Sequence, residues 1–243
     1  MLLVSIRSFV RKHNRLLSFD YTNMKPILFY DDISPVVRSV LMLIDELEID
    51  VEMKHIDLFT GDQRSLEYFN ISPNRTVPAL KHNDLVITDS HVILIYLVEE
   101  FGGQSTLYPS DKVTRIKVLD LLFFNGTNLF RKDSDLLSEI IAKSVTDMAR
   151  HTTKVQECYE SLETFLSNSD FLAGNFITIA DFSVVATLST VNLVQPVNDN
   201  QFPKLAKWFQ NMKQRPSYVS GNVPGLQKLR AILADRSDFP IFS

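Results

Sequence analysis

TVPALKHNDLVITDSHVILIYL (76–97) decides the fold. Two short apolar runs, PALKH (78–82) and LVITD (85–89), flank Asn83-Asp84, a pair suited to the tight turn of a β-hairpin. Helical periodicity follows at once, from Ser90 to Phe101. Working back towards the N-terminus, 63–71 reads as a short helix. VEMKHID (51–57) alternates apolar and polar, the pattern of a half-buried strand. Pro35 to Leu47 is an amphipathic helix, and ILFYDD (27–32) is a short strand. The order β-α-β-α-β-β-α from Lys25 to Phe101 predicts a small α/β layer.

The pattern changes beyond Phe101. GGQSTLYPSD (102–111) is rich in Gly, Ser and Pro and reads as a linker. Only helical periodicity follows, over 111–142, 144–167, 178–193, 203–213 and 224–234. The expected organisation is therefore an α/β domain over 24–104, a linker at 105–111 and an all-α domain over 112–243. Thr178-Ile179-Ala180-Asp181 is a capping box, with Ile177 and Phe182 placed for the accompanying staple. That element is structural.

Bulk chemistry narrows the classes. A net charge of -4 and a pI near 5.7 argue against a general nucleic-acid binder. Cys158 is the single cysteine, which excludes an intrachain disulfide framework and a cysteine-rich metal site and suits a reducing, cytoplasmic setting. The five histidines lack metal-ligand spacing to one another, so no metal is expected. The longest apolar run, Val92 to Val98, is too short to span a bilayer. Residues 1–23 differ: Arg7, Arg11, Lys12 and Arg15 oppose Leu2, Ile6, Phe9, Val10 and Leu17 on a helical wheel. That is the composition of a mitochondrial presequence; the competing reading is a leader upstream of Met24.

Three polar features allow more than one reading. Ser34-Pro35 is a plain helix start, Ser at the N-cap and Pro at N1. Asp89 is placed to cap the helix that begins at Ser90. Asp133 is the odd one. Counting from Phe130 along the 111–142 helix, Asp133, Ser134, Leu137 and Ile141 fall on one face. An ionised carboxylate on an apolar stripe is costly unless paired. Asp133 could be solvated at a helix edge. It could pair with Arg131 or Lys132, although i+1 and i+2 neighbours point elsewhere. Or it could accept a hydrogen bond from a ligand hydroxyl.

The two-domain order, together with FYDDISPVVRSV, NRTVPAL, TDSHVILIYL, LYPSD and TIADFS, resembles the cytosolic glutathione transferases over 24 to about 235. SPVVR is similar to the insect delta and epsilon classes. FRKDSDL, SDFLAG and ATLSTVNL resemble the Noppera-bo glutathione transferases of ecdysteroid biosynthesis most closely. The resemblance implies a thioredoxin-like N-terminal domain, an all-α C-terminal domain, glutathione as co-substrate and a homodimer. It implies that the Ser34 hydroxyl donates to the glutathione sulfur and favours the nucleophilic thiolate. Val77-Pro78, cis in this fold, would present the Val77 main chain to the cysteinyl part of glutathione. Asp89, Ser90 and His91 would serve the γ-glutamyl end, and Gln63 the glycyl end. Arg75 stands where relatives usually carry His, and it could still hold the glycyl carboxylate.

By the same resemblance Pro35, Leu58, Phe59, Phe130, Asp133, Ser134, Leu137 and Ser138 line the pocket for the hydrophobic substrate. From the residues alone, Phe130 and Leu137 are equally plain core. The resemblance links Asp133 to recognition of a steroid hydroxyl. The function it implies is conjugation of glutathione to apolar electrophiles in sterol handling. Two alternatives share the pocket: a glutathione-bound sterol carrier with little turnover, and a keto-steroid isomerase using the thiolate as base.

Overall fold

A computed structural model describes residues 24–242. The expectation about a leader or presequence at 1–23 lies outside the described residues. The first domain holds β1 (Ile27–Tyr30), α1 (Pro35–Glu46), β2 (Glu52–His55), a 3₁₀ turn (Asp62–Arg64) leading into α2 (Leu66–Phe69), β3 (Ala79–His82), β4 (Leu85–Ile87) and α3 (Ser90–Phe101). The sheet order is β2-β1-β3-β4, with β1 parallel to β2 and antiparallel to β3, and β3 antiparallel to β4. The register aligns Leu28 with Leu80 and Leu80 with Ile87. These three side chains join Val40, Leu43, Ile93 and Leu97 in the core between the sheet and its helices.

The second domain holds α4 (Lys112–Phe124), a π-helical turn (Asn125–Leu129), α5 (Phe130–Ile141), α6 (Met148–Phe165), α7 (Ile179–Val191), α8 (Pro203–Lys213), α9 (Pro216–Gly221) and α10 (Val223–Arg236). Every residue of α7 is buried, the polar Asp181, Ser183, Thr187, Ser189 and Thr190 included, so α7 is the axis of the domain. Its start is fixed by the expected capping box. Asp181 Oδ2 accepts from the Thr178 amide (2.8 Å). Its other oxygen reaches beyond the box, accepting from the Leu172 amide (3.1 Å) and Trp208 Nε1 (3.0 Å). One buried carboxylate thus joins the α7 start, the preceding loop and α8.

Three elements depart from expectation. The single helix over 111–142 is broken at Asn125–Leu129, where the backbone widens into a π turn. Asn125 explains the site locally: its Nδ2 donates to Ser183 Oγ (2.8 Å) and to the Ser183 carbonyl (3.2 Å) on α7. The next residue, Gly126, sits so close to His91 that a Cβ would lie 3.0 Å from the ring. The strand expected as half-buried over 51–57 is exposed at all four of its residues, Glu52 to His55. It is a sheet edge, and the following helix is a single turn, too short to cover it. α9, with Pro216 at N1, was hidden in a segment with no helical repeat long enough to read.

Candidate active site

Ser34 occupies the N-cap of α1 with extended backbone (φ -75, ψ 124), yet its side chain makes no capping hydrogen bond. The hydroxyl therefore does not serve the helix start, and it faces the cleft between the domains. The loop before it is pinned by Asp31, a buried residue that sequence reasoning passed over. Asp31 Oδ1 accepts from the Ile33 amide (3.2 Å), and Oδ2 accepts from the Leu58 amide (3.1 Å). Asp31 thus ties the Ser34 loop to the loop after β2.

The cleft is a cavity of about 800 Å³. It brings together Ser34, Leu58, Arg75, Val77, Pro78, Asp89, Ser90, His91 and Phe130 from the expected set. Val77-Pro78 is a cis peptide, and both residues are buried at the floor. Asp89 caps α3, its Oδ1 accepting from the amides of His91 (2.9 Å) and Val92 (3.1 Å). Ser90 is buried at the first position of that helix, where an N-terminus favours an anionic group. The Arg75 backbone lies at φ +57, and its guanidinium leans away, donating to the Arg64 carbonyl and stacking 4.9 Å from the Phe69 ring. His91 turns its ring to the second domain, with Nε2 2.9 Å from Ser183 Oγ. Burial pushes the imidazole pKa down, opposed by Asp89, so the ring is neutral near pH 7.

The opposite wall is apolar and was not expected: Ile95 of α3 with Leu119, Leu122 and Phe123 of α4. Only the fold, which sets α3 and α4 on the same cavity, brings these side chains together; in sequence each reads as an ordinary helix residue. Phe130, just past the π turn, closes this wall.

Seven expected residues lie outside this cavity. Pro35 is buried at the first turn of α1. Phe59 is half exposed, with the Arg236 guanidinium 5.6 Å over its ring. Gln63 Nε2 donates to the Leu58 carbonyl (3.3 Å), and its buried Oε1 has no partner among the described residues. The stripe from Phe130 to Leu137 does not form one pocket wall. Leu137 packs with Leu136, Ile140, Leu193, Leu229 and Leu233 in a separate core. Ser134 is half-buried and Ser138 exposed. The reason is the course of α5, which leaves the cavity after Phe130 and runs under α10.

Asp133 is neither solvated nor paired. It is 1% exposed, and neither carboxylate oxygen has a hydrogen-bond partner among the described residues. Burial drives its pKa well above the usual carboxylate range, and the nearby Arg38 cation only partly offsets this. Neither an edge position nor a pair with Arg131 or Lys132 describes it, and the expectation that it lines the substrate pocket is not met either, since it lies outside the cavity. Arg131 pairs instead with Asp135 (3.3 Å), and Lys132 with Glu157 (3.8 Å).

A four-stranded α/β layer, a helical second domain, a serine at a helix start and a cis-proline beside the cleft make up the two-domain architecture that the resemblance implied. Family comparison gives the same answer. Residues 33–100 match the glutathione S-transferase N-terminal domain, and residues 122–216 match the C-terminal domain. Glutathione S-transferase 1 of Manduca sexta is 35% identical over 86% of this chain and 97% of its own length. An epsilon-class glutathione S-transferase from the housefly, Musca domestica, superposes with a TM-score of 0.84 at 30% identity, covering 89% of this chain and all of its own. A glutathione transferase homologue from Drosophila mojavensis, solved with bound glutathione, gives 0.84 at 33% identity over 88% of this chain and 98% of that one. The chain belongs to the glutathione S-transferase family, with glutathione as its co-substrate.

Proposed function

We propose that this transferase ionises glutathione at Ser34 and presents it to an apolar, hydroxyl-bearing substrate of sterol type, in ecdysteroid biosynthesis. Glutathione would lie along Val77-Pro78, with its γ-glutamyl end at Asp89 and Ser90 and its glycyl end towards Gln63 and Arg75. The thiol proton leaves to solvent on ionisation. The thiolate sulfur then bonds to the electrophilic carbon as that carbon's bond to its leaving group breaks, or, in an addition, as the π pair shifts to the neighbouring atom and takes up a proton from solvent. The observation that carries the sterol part is Asp133. Two buried oxygens without partners are a standing cost of about 1–3 kcal/mol or more. A ligand hydroxyl donating to Asp133 removes that cost and orients a rigid apolar molecule. Asp133 itself does not line the cavity; Phe130, one turn earlier on the same helix, does, so the ligand hydroxyl must pass Phe130 to reach it.

Asp133→Asn tests this in two ways. Equilibrium binding of a hydroxylated sterol should weaken about tenfold, the worth of one buried hydrogen bond, while conjugation of a small generic electrophile persists. Unchanged sterol affinity would reject the role. The variant should also be more stable than wild type. A carboxyl whose folded pKa is raised loses stability as pH rises from its unfolded value through its folded one. The stability gap should therefore be full above the folded pKa and vanish below about pH 4.

The homodimer implied by the family is supported by Val113 and Ile116, apolar side chains exposed along α4 and outside the cavity. Sedimentation should give twice the chain mass of 27.8 kDa; a monomer at assay concentration would overturn the dimer.

A further inference from the structure

Arg38 lies one helical turn after Ser34 on α1 and is fully buried. All of its nitrogens are engaged. Nη1 donates to the carbonyls of Ile33 (2.8 Å) and Asp32 (3.3 Å), the two residues before Ser34. Nε donates to Asn222 Oδ1 (2.8 Å), at the junction of α9 and α10. Nη2 donates to the Ala186 carbonyl (3.4 Å) and to Thr190 Oγ1 on α7. One cation therefore ties the Ser34 loop to two helices of the other domain.

The same loop is held from its far side by lack of space. A Cβ on Gly225 would lie 1.9 Å from the Asp32 carbonyl oxygen, and one on Gly221 would lie 2.6 Å from the Met42 amide nitrogen. These glycines flank Asn222, so the α9–α10 junction presses bare backbone against α1 and the loop. Lys228 adds an ion pair to Asp32 (2.6 Å). Burial lowers the Arg38 pKa to about 10, against the attraction of Asp133, Tyr218 and Asp32, so the guanidinium stays charged at neutral pH. Burying a cation rarely stabilises a fold better than an apolar side chain of similar volume. A planar fork with fixed donors does set backbone geometry, which an apolar residue cannot.

We propose that Arg38, bonded to Asn222 and to the Asp32–Ile33 carbonyls of a loop packed on the Gly225 backbone, is a positioning residue that aims the Ser34 hydroxyl at the glutathione sulfur. This rests on the reading of Ser34 given above. The test is the pH titration of enzyme-bound glutathione, followed by the ultraviolet absorbance of the thiolate, with kcat and the glutathione KM measured alongside. Arg38→Lys keeps the charge and loses the fork. Gly225→Ala keeps Arg38 and displaces the Asp32 carbonyl, and it carries the test if Arg38→Lys does not fold. Each should raise the bound thiol pKa by about one unit, tenfold less thiolate at neutral pH. Each should lower kcat about tenfold with little change in KM, the mark of a misaimed group in a formed site. A wild-type titration in Arg38→Lys would mean that charge alone matters. Wild-type titrations in both variants, or a loss confined to KM, would leave only a structural role. Either result overturns the proposal. Ser34→Ala is run in parallel: if its thiol titrates as wild type, the reading of Ser34 fails, not this inference alone.

Discussion

Ser34→Ala is expected to lower kcat/KM for glutathione conjugation about a hundredfold, the usual cost of removing a donor aimed at developing negative charge. A free thiol ionises near pH 8.5, so without help little thiolate exists at neutral pH. The Ser34 hydroxyl is uncommitted to its own helix and faces the cavity beside Val77 and Pro78. The α1 N-terminus adds a favourable dipole, and that contribution survives the substitution. The loss should therefore fall on kcat and the thiol pKa, with glutathione affinity nearly kept. Calorimetric binding of glutathione together with steady-state kinetics separates the two. A variant with wild-type kcat would remove Ser34 from the chemistry.

The largest effect on stability is expected at Asp181. Asp181→Ala should destabilise the fold by about 3–5 kcal/mol, read from urea unfolding. The carboxylate is fully buried and accepts from the Thr178 amide and hydroxyl, the Leu172 amide and Trp208 Nε1. Removal strands several buried donors at once, each costing about 1–3 kcal/mol. Trp208→Phe should cost less, because it deletes one donor and leaves the carboxylate three partners. Equal losses in the two variants would show that packing of the indole, not the hydrogen-bonded carboxylate, holds α7 to α8.

Much of this fold was legible locally. The hairpin at Asn83-Asp84, the alternation of β and α up to Phe101 and the capping box at Thr178 are short-range signals, and each became the expected element. Ser34, Val77-Pro78 and Asp89-Ser90, singled out through the family resemblance, sit at element starts and turns and do meet in one cavity. What escaped was set by distant partners. Nothing near Arg38 in sequence shows that it meets Asn222, 184 residues away. The π turn follows from Asn125 reaching Ser183, and the apolar wall from α3 and α4 facing the same cavity. Asp133 is instructive in a different way. Its place on an apolar stripe was visible, and its burial follows. The stripe itself divides between the cavity at Phe130 and a separate core at Leu137, because a straight helix leaves the cavity within two turns.

A crystal structure of the protein with glutathione and a hydroxylated sterol tests the account most directly. The sulfur should lie within hydrogen-bond distance of Ser34 Oγ and the sterol hydroxyl on a carboxylate oxygen of Asp133, with the steroid body against Phe130. A sterol bound elsewhere, with both Asp133 oxygens still unpartnered, would contradict it.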